Sequence, residues 1–335
     1  MHLLITTPSV PVSDLQAISA EGRKQLIDWD TSSLRQPRLE TVWTTIEKRC
    51  REQPTGMAIE SWDGRLTYAE LEQRVSAVAE KLSQLKVLPG TFVGLLLEKS
   101  MLSTVVILGV IKAGCAFVLL DVSQPSRRLK AMCTMTNVAM VIASPNNIKA
   151  GPSLGIVCQS TESFPLVPSG ETCHGPSKPS SPLYAGFTSG STGEPKGFVI
   201  QHDNFMSGLD EYCAGLDLKP DSRVFQFASY SFVVSKTGQL APLARGARLC
   251  IPSQFQLEHD LAGAIRDVRA DWIAVTPSAA RIMDPGTVSS LKTLVMVGEE
   301  MSSSDLSKWS HLSLYSLYGQ SENSKGTMIA KKKRV

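Results

Sequence analysis

The sequence carries little excess charge of either sign. Lysine and arginine number 34 against 31 aspartates and glutamates, which leaves a formal charge of +3 over 335 residues. Nucleic acids and anionic membrane surfaces are held by a much larger and clustered positive charge. We therefore expect neither nucleic acid nor a membrane as a partner.

Clustered cysteines are also missing. Seven cysteines are spread along the chain, and neither a Cys-x-x-Cys pair nor a neighbouring histidine pair accompanies them. Zinc sites and disulfide frameworks need such spacings, so we expect neither. This cysteine usage fits a reducing compartment and predicts a cytoplasmic protein.

Long uninterrupted apolar runs are lacking as well. The stretch that comes nearest, "MLSTVVILGVIKAGCAFVLL" over 101–120, is interrupted by Gly109, Lys112 and Gly114. A lysine near the middle of a bilayer costs about 3 kcal/mol. The pattern instead predicts a buried helix that ends near Lys112, a cap at Gly114 and then a short strand. The N-terminal segment has no basic region before a long apolar core, so we do not expect a signal peptide.

Four segments follow one another along the chain. Residues 1–40 are mostly polar and predict a linker-like leader with a short helix at 13–29. Strand and helix patterns alternate through 41–144 and again through 183–335. Residues 145–182 are rich in proline, serine and glycine and predict a surface connection. Alternating strands and helices are typical of parallel sheets covered by helices, so we predict an α/β protein with two such units.

Local signals indicate individual elements. Asp63-Gly64 within "MAIESWDGRLTY" predicts a β-hairpin. Thr67, followed three residues later by Glu70, predicts a capping box that opens a helix. In the second half the apolar runs are candidate strands, namely "RVFQFASYSF", "ARLCIPS", "DWIAVTP" and "LKTLVMVG".

The stretch "FTSGSTGEPKG" at 187–197 combines glycines, hydroxyl residues and one lysine. Glycines let several backbone N–H groups point at one anion, while the hydroxyls and Lys196 add donors and positive charge. The spacing does not fit a P-loop, which needs Ser or Thr directly after its lysine, and no G-x-G-x-x-G opens a helix here. A solvated Gly/Ser loop is the alternative, but the density of hydroxyls favours a loop that binds polyphosphate.

This stretch closely resembles (Y/F)TSG(S/T)TGxPKG, the phosphate-binding signature of the adenylate-forming superfamily. Four further blocks resemble that superfamily in the same order. They are "LTYAEL" at 66–71, "IKAGCAFVLLDVSQPSRRL" at 111–129, "VMVGEEMS" at 295–302 and "LYGQSENS" at 317–324. The resemblance covers about residues 41–328 and is nearest to the adenylation domains of fungal non-ribosomal peptide synthetases.

The resemblance implies the N-terminal large part of an adenylate-forming enzyme, in which two α/β units with mostly parallel sheets pack together. It also implies that ATP with Mg²⁺ activates a small carboxylic acid as an acyl-adenylate. The expected partners are that acid and ATP, with a carrier-protein or synthetase chain as a further partner.

Individual residues take roles from the same resemblance. Glu322 would bind Mg²⁺, which prefers oxygen ligands, although it could equally be a surface acid. Tyr318 would lie against the adenine or ribose, although it could equally be a core aromatic residue. The nucleotide and its phosphates would be bound by Thr188, Ser189, Gly190, Ser191, Thr192, Gly193, Lys196, Gly298, Glu299 and Tyr318.

The acid pocket departs from the family pattern. Amino-acid-activating members carry F-D-x-S, whose aspartate pairs with the substrate ammonium, whereas this chain has Val233 at that position. A valine cannot compensate a buried cation. We therefore expect either an acid without an α-amino group, such as a hydroxy, keto or aryl acid, or a pocket that has lost its function. The alignment predicts an almost wholly apolar pocket lined by Val233, Val234, Thr237, Ala274, Val295, Val297 and Leu317.

The end of the sequence departs as well. Family members continue past the Y-G-x-x-E block into a barrel segment and a small lid with a catalytic lysine, and neither is recognisable after Met328. We therefore expect a truncated domain whose activity is impaired alone, and we assign no catalytic residue. Two hypotheses follow: an adenylation domain that retains ligand binding, and a non-catalytic remnant that acts as a scaffold or regulator of a biosynthetic pathway.

Overall fold

The computed structural model of the chain describes residues 18–33, 38–170, 177–189 and 195–332. Contacts divide the chain into one unit over Met1–Pro37 and another over Arg38–Val335. The described part of the first unit contains helix α1 (Ala20–Ser33). The helix expected at 13–29 overlaps α1 from residue 20 onward, and residues 13–17 lie outside the described part.

The second unit alternates strands and helices along its described length. Its α-helices are α2 (Val42–Glu52), α3 (Tyr68–Gln84), α4 (Met101–Lys112), α5 (Ser126–Met135), α6 (His202–Ser207), α7 (Leu209–Gly215), α8 (Val233–Arg245), α9 (Gln254–His259), α10 (Leu261–Asp267), α11 (Pro277–Ile282) and α12 (Ser303–Lys308). Its strands are β1 (Met57–Ser61), β2 (Gly64–Thr67), β3 (Phe92–Leu96), β4 (Ala116–Leu119), β5 (Val138–Ala143), β6 (Cys158–Ser160), β7 (Pro182–Ser189), β8 (Pro195–Gln201), β9 (Arg223–Phe225), β10 (Arg248–Ile251), β11 (Trp272–Val275), β12 (Thr293–Val297), β13 (Ser313–Tyr318) and β14 (Met328–Lys331).

The strands form two sheets. The larger sheet has eight strands in the order β14-β13-β12-β11-β9-β10-β1-β2. It is parallel except at its two edges, where β14 and β2 run antiparallel to their neighbours. The smaller sheet has six strands in the order β6-β5-β3-β4-β7-β8, and only β8 is antiparallel to its neighbour. The prediction of an α/β fold with two mostly parallel sheets is confirmed.

Each sheet is covered on both faces. Alternate residues of a strand enter different cores: in the larger sheet Trp272 belongs to the central core and Ile273 to an outer core. In the smaller sheet Phe117 belongs to the central core and Val118 to a second outer core. The central core contains residues of both sheets and of the helices between them, including Leu108 of α4. Successive side chains of a strand point to opposite faces, so five layers result, α-β-α-β-α.

Sheet membership does not follow the segments drawn from the sequence. Strands β1 and β2 come from 41–144 but lie in the larger sheet, where Ile59 pairs with Leu249 of β10. Strands β7 and β8 come from 183–335 and complete the smaller sheet, while β6 lies within 145–182 and forms an edge of that sheet. Pairing between strands that are distant in sequence leaves no local pattern in the sequence. The boundaries of the four predicted segments stay a prediction.

Several local predictions are confirmed. Strands β1 and β2 pair antiparallel around Asp63-Gly64, and the Thr67 hydroxyl accepts from the backbone N–H of Glu70 in a capping box. Helix α4 ends at Lys112, Gly114 has φ +78°, and β4 follows. In the part of the chain that the structure describes, no helix has both the length and the apolar character needed to cross a bilayer.

The strand predicted from "RVFQFASYSF" is shorter than expected. Strand β9 ends at Phe225, and residues 226–232 form a loop that leads to α8. The buried ammonium of Lys99 donates to the carbonyl oxygens of Gln226 and Phe227. These carbonyls therefore bond to a side chain rather than to a neighbouring strand.

Candidate functional site

The site lies where parallel strands of the larger sheet end. Strands β11, β12 and β13 pair in parallel, so their carboxyl ends meet at one edge of the sheet. Thr276 follows β11, Gly298 follows β12 and Gly319 follows β13. In open α/β sheets this edge is where ligands bind.

A cavity of about 110 Å³, the small cavity, lies between the start of α8 and the turn after β13. Five predicted pocket residues line it, and they are Val233, Val234, Thr237, Val297 and Leu317. Further lining residues are Tyr212, Phe232, Gly319, Gln320, Ser321, Ser324, Lys325 and Gly326. The structure therefore brings most of the predicted pocket residues together, and their binding role stays a prediction.

The other two predicted pocket residues lie elsewhere. Val295 is fully buried in the central core and is not among the residues that line the small cavity. It shares a strand face with Val297 but lies two residues deeper, so Val297 stands between it and the carboxyl edge. Ala274, which pairs with Val295 across β11 and β12, lines a neighbouring cavity instead.

That neighbouring cavity, the large cavity, has a volume of about 560 Å³. Phe232, Val234 and Val297 line both cavities and separate them. Gly298 and Glu299, predicted to lie beside the adenine, line the large cavity. The two cavities therefore place an apolar compartment next to the predicted nucleotide residues.

The backbone at Gly298 and Glu299 is held in a defined conformation. Gly298 has φ +88°, a left-handed conformation that glycine adopts without strain. The Glu299 carboxylate accepts from the Ser278 hydroxyl at 2.5 Å and from the Ser278 backbone N–H at 3.1 Å. The hydrogen bond from the Ser278 hydroxyl is the main cause that lowers the pKa of this carboxyl. The carboxylate is thus fixed across the ends of β11 and β12.

The turn over 319–326 is tightly packed. The Thr237 hydroxyl donates to the Ser324 carbonyl oxygen at 2.6 Å, which ties the turn to α8. A Cβ atom at Gly326 would lie 2.0 Å from the Leu317 side chain, so a larger residue there would require Leu317 to move. Tyr318 and Glu322 are exposed beside this turn, Tyr318 with 63 % of its surface accessible. Tyr318 is therefore not a core residue and is free to contact a ligand.

The predicted phosphate loop joins two antiparallel strands. Thr188 of β7 pairs with Lys196 of β8, and Ser189 pairs with Pro195. Lys196 is exposed. Gly190, Ser191, Thr192 and Gly193 lie outside the described residues, so the cradle predicted there stays a prediction.

Two lysines at the cavities, the buried Lys99 and the half-buried Lys325, are absent from the sequence predictions. Lys99 lines the large cavity and Lys325 lines the small one. Burial lowers the pKa of Lys99 to about 7 and that of Lys325 to about 8. Lys325 could have been suspected, since it lies three residues after Glu322, whereas Lys99 carries no signal in the sequence.

The residues fit a Mg²⁺ ion held mainly by phosphates. Within the described ranges no group of three or more His, Cys, Asp and Glu side chains comes together. Mg²⁺ typically uses one or two carboxylates with phosphate oxygens and water rather than a cage of protein ligands. A single exposed carboxylate such as Glu322 is sufficient for that mode.

The two mostly parallel sheets match the N-terminal large part of adenylate-forming enzymes. The profile of the family described as AMP-binding enzyme matches residues 46–334, and the chain belongs to this family. "Nonribosomal peptide synthetase 6" of Aspergillus fumigatus is 45% identical over 97% of this chain and 26% of its own length. The chain thus spans about a quarter of that relative, and its resemblance to fungal synthetase adenylation regions is confirmed.

Solved structures support the same fold. FmoA3, a non-ribosomal peptide synthetase solved with AMPPNP bound, superposes with a TM-score of 0.82 over 97% of this chain and 36% of its own, at 19% identity. The N-terminal subdomain of Klebsiella oxytoca NpsA, in complex with 3-hydroxybenzoyl-AMSN, gives a TM-score of 0.78 over 89% of this chain and 77% of its own, at 20% identity. At these identities the likeness concerns the fold.

Proposed function

We propose that this chain binds ATP and a carboxylic acid and joins them as an acyl-adenylate. The observation that carries the proposal is the small cavity, whose walls at Val234 and Val297 adjoin Gly298 and Glu299 at the carboxyl ends of parallel strands. An acid in that cavity would present its carboxylate next to a nucleotide at that edge. Family membership supports the nucleotide part of the proposal.

In the proposed reaction a carboxylate oxygen attacks the α-phosphorus of ATP, and the bond to the pyrophosphate oxygen breaks. The protein's part in such a transfer is to position the reactants and stabilise charge. Thr188, Ser189 and Lys196 flank the glycine-rich segment 190–194 in the sequence and would hold the phosphates. Glu322 would hold Mg²⁺, which neutralises charge on the departing pyrophosphate.

The acid specificity that we propose follows from Val233. This residue lines the small cavity where amino-acid-activating relatives carry aspartate. An ammonium group there would be buried without a carboxylate, which is strongly unfavourable. We therefore propose an acid without an α-amino group as the substrate.

The experiment is ATP–Mg²⁺ titration of the full chain by calorimetry, with the Lys196→Ala variant beside it. Loss of a charge-assisted contact of about 1.5–3 kcal/mol should weaken ATP binding by about 10- to 100-fold. The Tm should change little, because Lys196 is exposed.

Lys292→Ala is the matched control. Lys292 is exposed beside the amino end of β12, the end opposite to Gly298. Its variant should bind ATP like the wild type. Equal ATP affinity in the Lys196→Ala variant would contradict the phosphate role, and a folded chain without ATP binding would favour the scaffold hypothesis.

A further inference from the structure

One loop forms part of the wall of both cavities. It comprises residues 226–232 and leads from β9 to α8. Three of its residues line the large cavity, namely Phe227, Ala228 and Ser229. Phe232 lines both cavities and so stands between them. The extent of each cavity therefore depends on where this loop places Phe232.

Phe232 is positioned through its backbone rather than by packing of its side chain, since 65 % of its surface is accessible. Its backbone N–H donates to the Ser229 carbonyl oxygen at 3.0 Å. Its own carbonyl oxygen accepts from the Ser235 hydroxyl at 2.7 Å. These bonds stay within the loop and the first turn of α8. They define the turn at Phe232 but not its place relative to the sheets.

The smaller sheet holds this loop near both of its ends. Lys99 follows β3 and donates to the carbonyl oxygens of Gln226 and Phe227. Asp121 follows β4, and its carboxylate accepts from the Ser231 hydroxyl. Strands β3 and β4 pair in parallel, so both side chains come from neighbouring carboxyl ends at one edge of the smaller sheet.

The Asp121 carboxylate is itself fixed in place. Its Oδ1 accepts from the Ser123 backbone N–H at 2.9 Å, while its Oδ2 accepts from the Ser231 hydroxyl. The Ser231 backbone N–H donates to the Ser229 hydroxyl oxygen at 3.3 Å. Hydrogen bonds to an ionised group are stronger than bonds between neutral groups. Asp121 therefore anchors the loop at the residue immediately before Phe232.

The volume of the small cavity limits what fits behind Phe232. The cavity measures about 110 Å³. For comparison, an apolar protein cavity of about 150 Å³ binds one benzene molecule. The small cavity therefore fits a short alkyl chain. A displaced Phe232 would open it into the large cavity of about 560 Å³, where a longer chain would fit.

We propose that Asp121 is a positioning residue for the acid site. Through Ser231 it holds Phe232 as the wall between the two cavities, and this wall limits the acid to a short chain. The substrate class is thus a short-chain carboxylic acid without an α-amino group. This inference rests on the proposed function and adds the length of the substrate to it.

Hydrogen exchange of the full chain tests the anchor without any ligand. In Ser231→Ala the amides of residues 229–235 should exchange about 2- to 10-fold faster than in the wild type, because one hydrogen bond is lost. The amides of β12 should exchange as in the wild type. Ser231→Thr keeps the hydroxyl and should retain the wild-type exchange of 229–235. Unchanged exchange of 229–235 in Ser231→Ala overturns the positioning role.

Ser61→Ala is the matched control for this experiment. Ser61 is half-buried like Ser231, and its hydroxyl also donates to an aspartate, Asp63. It lines neither of the two cavities. Its variant should leave the exchange of residues 229–235 unchanged. Equally fast exchange there in Ser61→Ala would show a general loosening of the chain and overturn the assignment to the loop.

Calorimetry on the full ATP–Mg²⁺-bound chain tests the length limit with butanoate and octanoate. Burying further methylene groups strengthens binding, so an open site would favour octanoate. The wild type should instead bind butanoate more tightly. Ser231→Ala should raise the octanoate affinity at least about 10-fold and leave the butanoate affinity nearly unchanged. Wild-type octanoate affinity equal to or above that of butanoate overturns the length limit. Unchanged octanoate affinity in folded Ser231→Ala overturns the role of the anchor.

Asp121→Ala assigns the effect to Asp121. It should raise the octanoate affinity as Ser231→Ala does, and the double variant should add nothing, because both changes remove the same hydrogen bond. Additive gains in the double variant overturn the link between the two residues. Binding of neither acid overturns the length proposal, whereas the ATP titration with Lys196→Ala separately tests the proposed nucleotide site.

Discussion

At the scale of single residues, this protein buries several ionisable side chains that pair with no carboxylate of the described residues. Burial lowers the pKa of Lys236 to about 8, and the closest aromatic contact is the Tyr184 ring at 5.6 Å. His202 is fully buried, and its Nδ1 accepts from the Val42 backbone N–H at 3.2 Å. Such groups cost stability in their charged form, so each one makes stability depend on pH.

His202 should make the protein less stable as the pH falls. Burial lowers its pKa from 6.5 to about 4, so between these values the unfolded chain binds a proton that the native chain does not. The free energy of unfolding therefore keeps its full value above pH 6.5. Towards pH 4 it falls by up to about 3 kcal/mol, because the unfolded chain takes up the proton first. In the His202→Asn variant an amide oxygen replaces the Nδ1 acceptor without titrating. Urea unfolding at pH 7.5, 6 and 5 should show the wild type losing its stability advantage over this variant.

The exposed His259 provides the control. His259→Asn should follow the wild-type pH dependence. A constant stability difference between wild type and His202→Asn across this range would show that His202 does not titrate as described.

At the scale of elements, close helix packing depends on glycine at one position. Helices α3 and α4 meet where a Cβ atom at Gly109 would lie 2.3 Å from Val78 Cγ1. Helix α4 is apolar nearly all round, with buried residues from Met101 to Ile111. This explains why a helix with weak amphipathic character is stable here: it is covered on all sides by protein.

Gly109→Ala should destabilise the protein by about 1–3 kcal/mol, because the added methyl group overpacks the α3–α4 contact. Combining it with Val78→Ala should recover part of this loss, since the clashing methyl groups are removed. Chemical unfolding of both single variants and the double variant measures the coupling.

Gly238 of α8 is the matched helix position for this test. A Cβ atom there meets nothing within 4 Å. Gly238→Ala should therefore stabilise the protein by about 0.5–1 kcal/mol through helix propensity. Additive effects of Gly109→Ala and Val78→Ala would contradict the packing argument.

At the scale of the whole molecule, the central core joins the two sheets of the unit over residues 38–332. It includes Ile59 and Val295 of the larger sheet and Val93 and Phe117 of the smaller sheet. The helices between them, α4 among them, contribute to the same core. The two sheets are therefore expected to lose their packing together.

Leu108→Ala tests this coupling. Leu108 is fully buried in the central core, so its truncation should cost about 2–5 kcal/mol. Native-state hydrogen exchange should show equal losses of protection in β3 of the smaller sheet and β12 of the larger sheet. Leu88→Ala, at an exposed leucine, should leave the protection of both strands unchanged. A loss confined to β3 would show that the sheets open separately.

The sequence by itself determined what depends on short-range physics or on a contiguous motif. The hairpin at Asp63-Gly64, the capping box at Thr67 and the end of α4 follow from turn chemistry, capping and glycine conformation. The family followed from blocks that each occupy a few consecutive residues. The predicted lining by Val233, Val234 and Thr237 followed from the alignment with the family, and these residues lie close together at the start of α8.

Only the tertiary structure decided how distant segments combine. Strand β1 joined β10 rather than β3, and Val295 lay deeper than Val297, because pairing and depth depend on contacts remote in sequence. Lys325 is half-buried because Phe205 and Gly208 pack against its side chain. The sequence shows that a charge is present, whereas burial, which sets its energy and its partner, exists only in the folded chain.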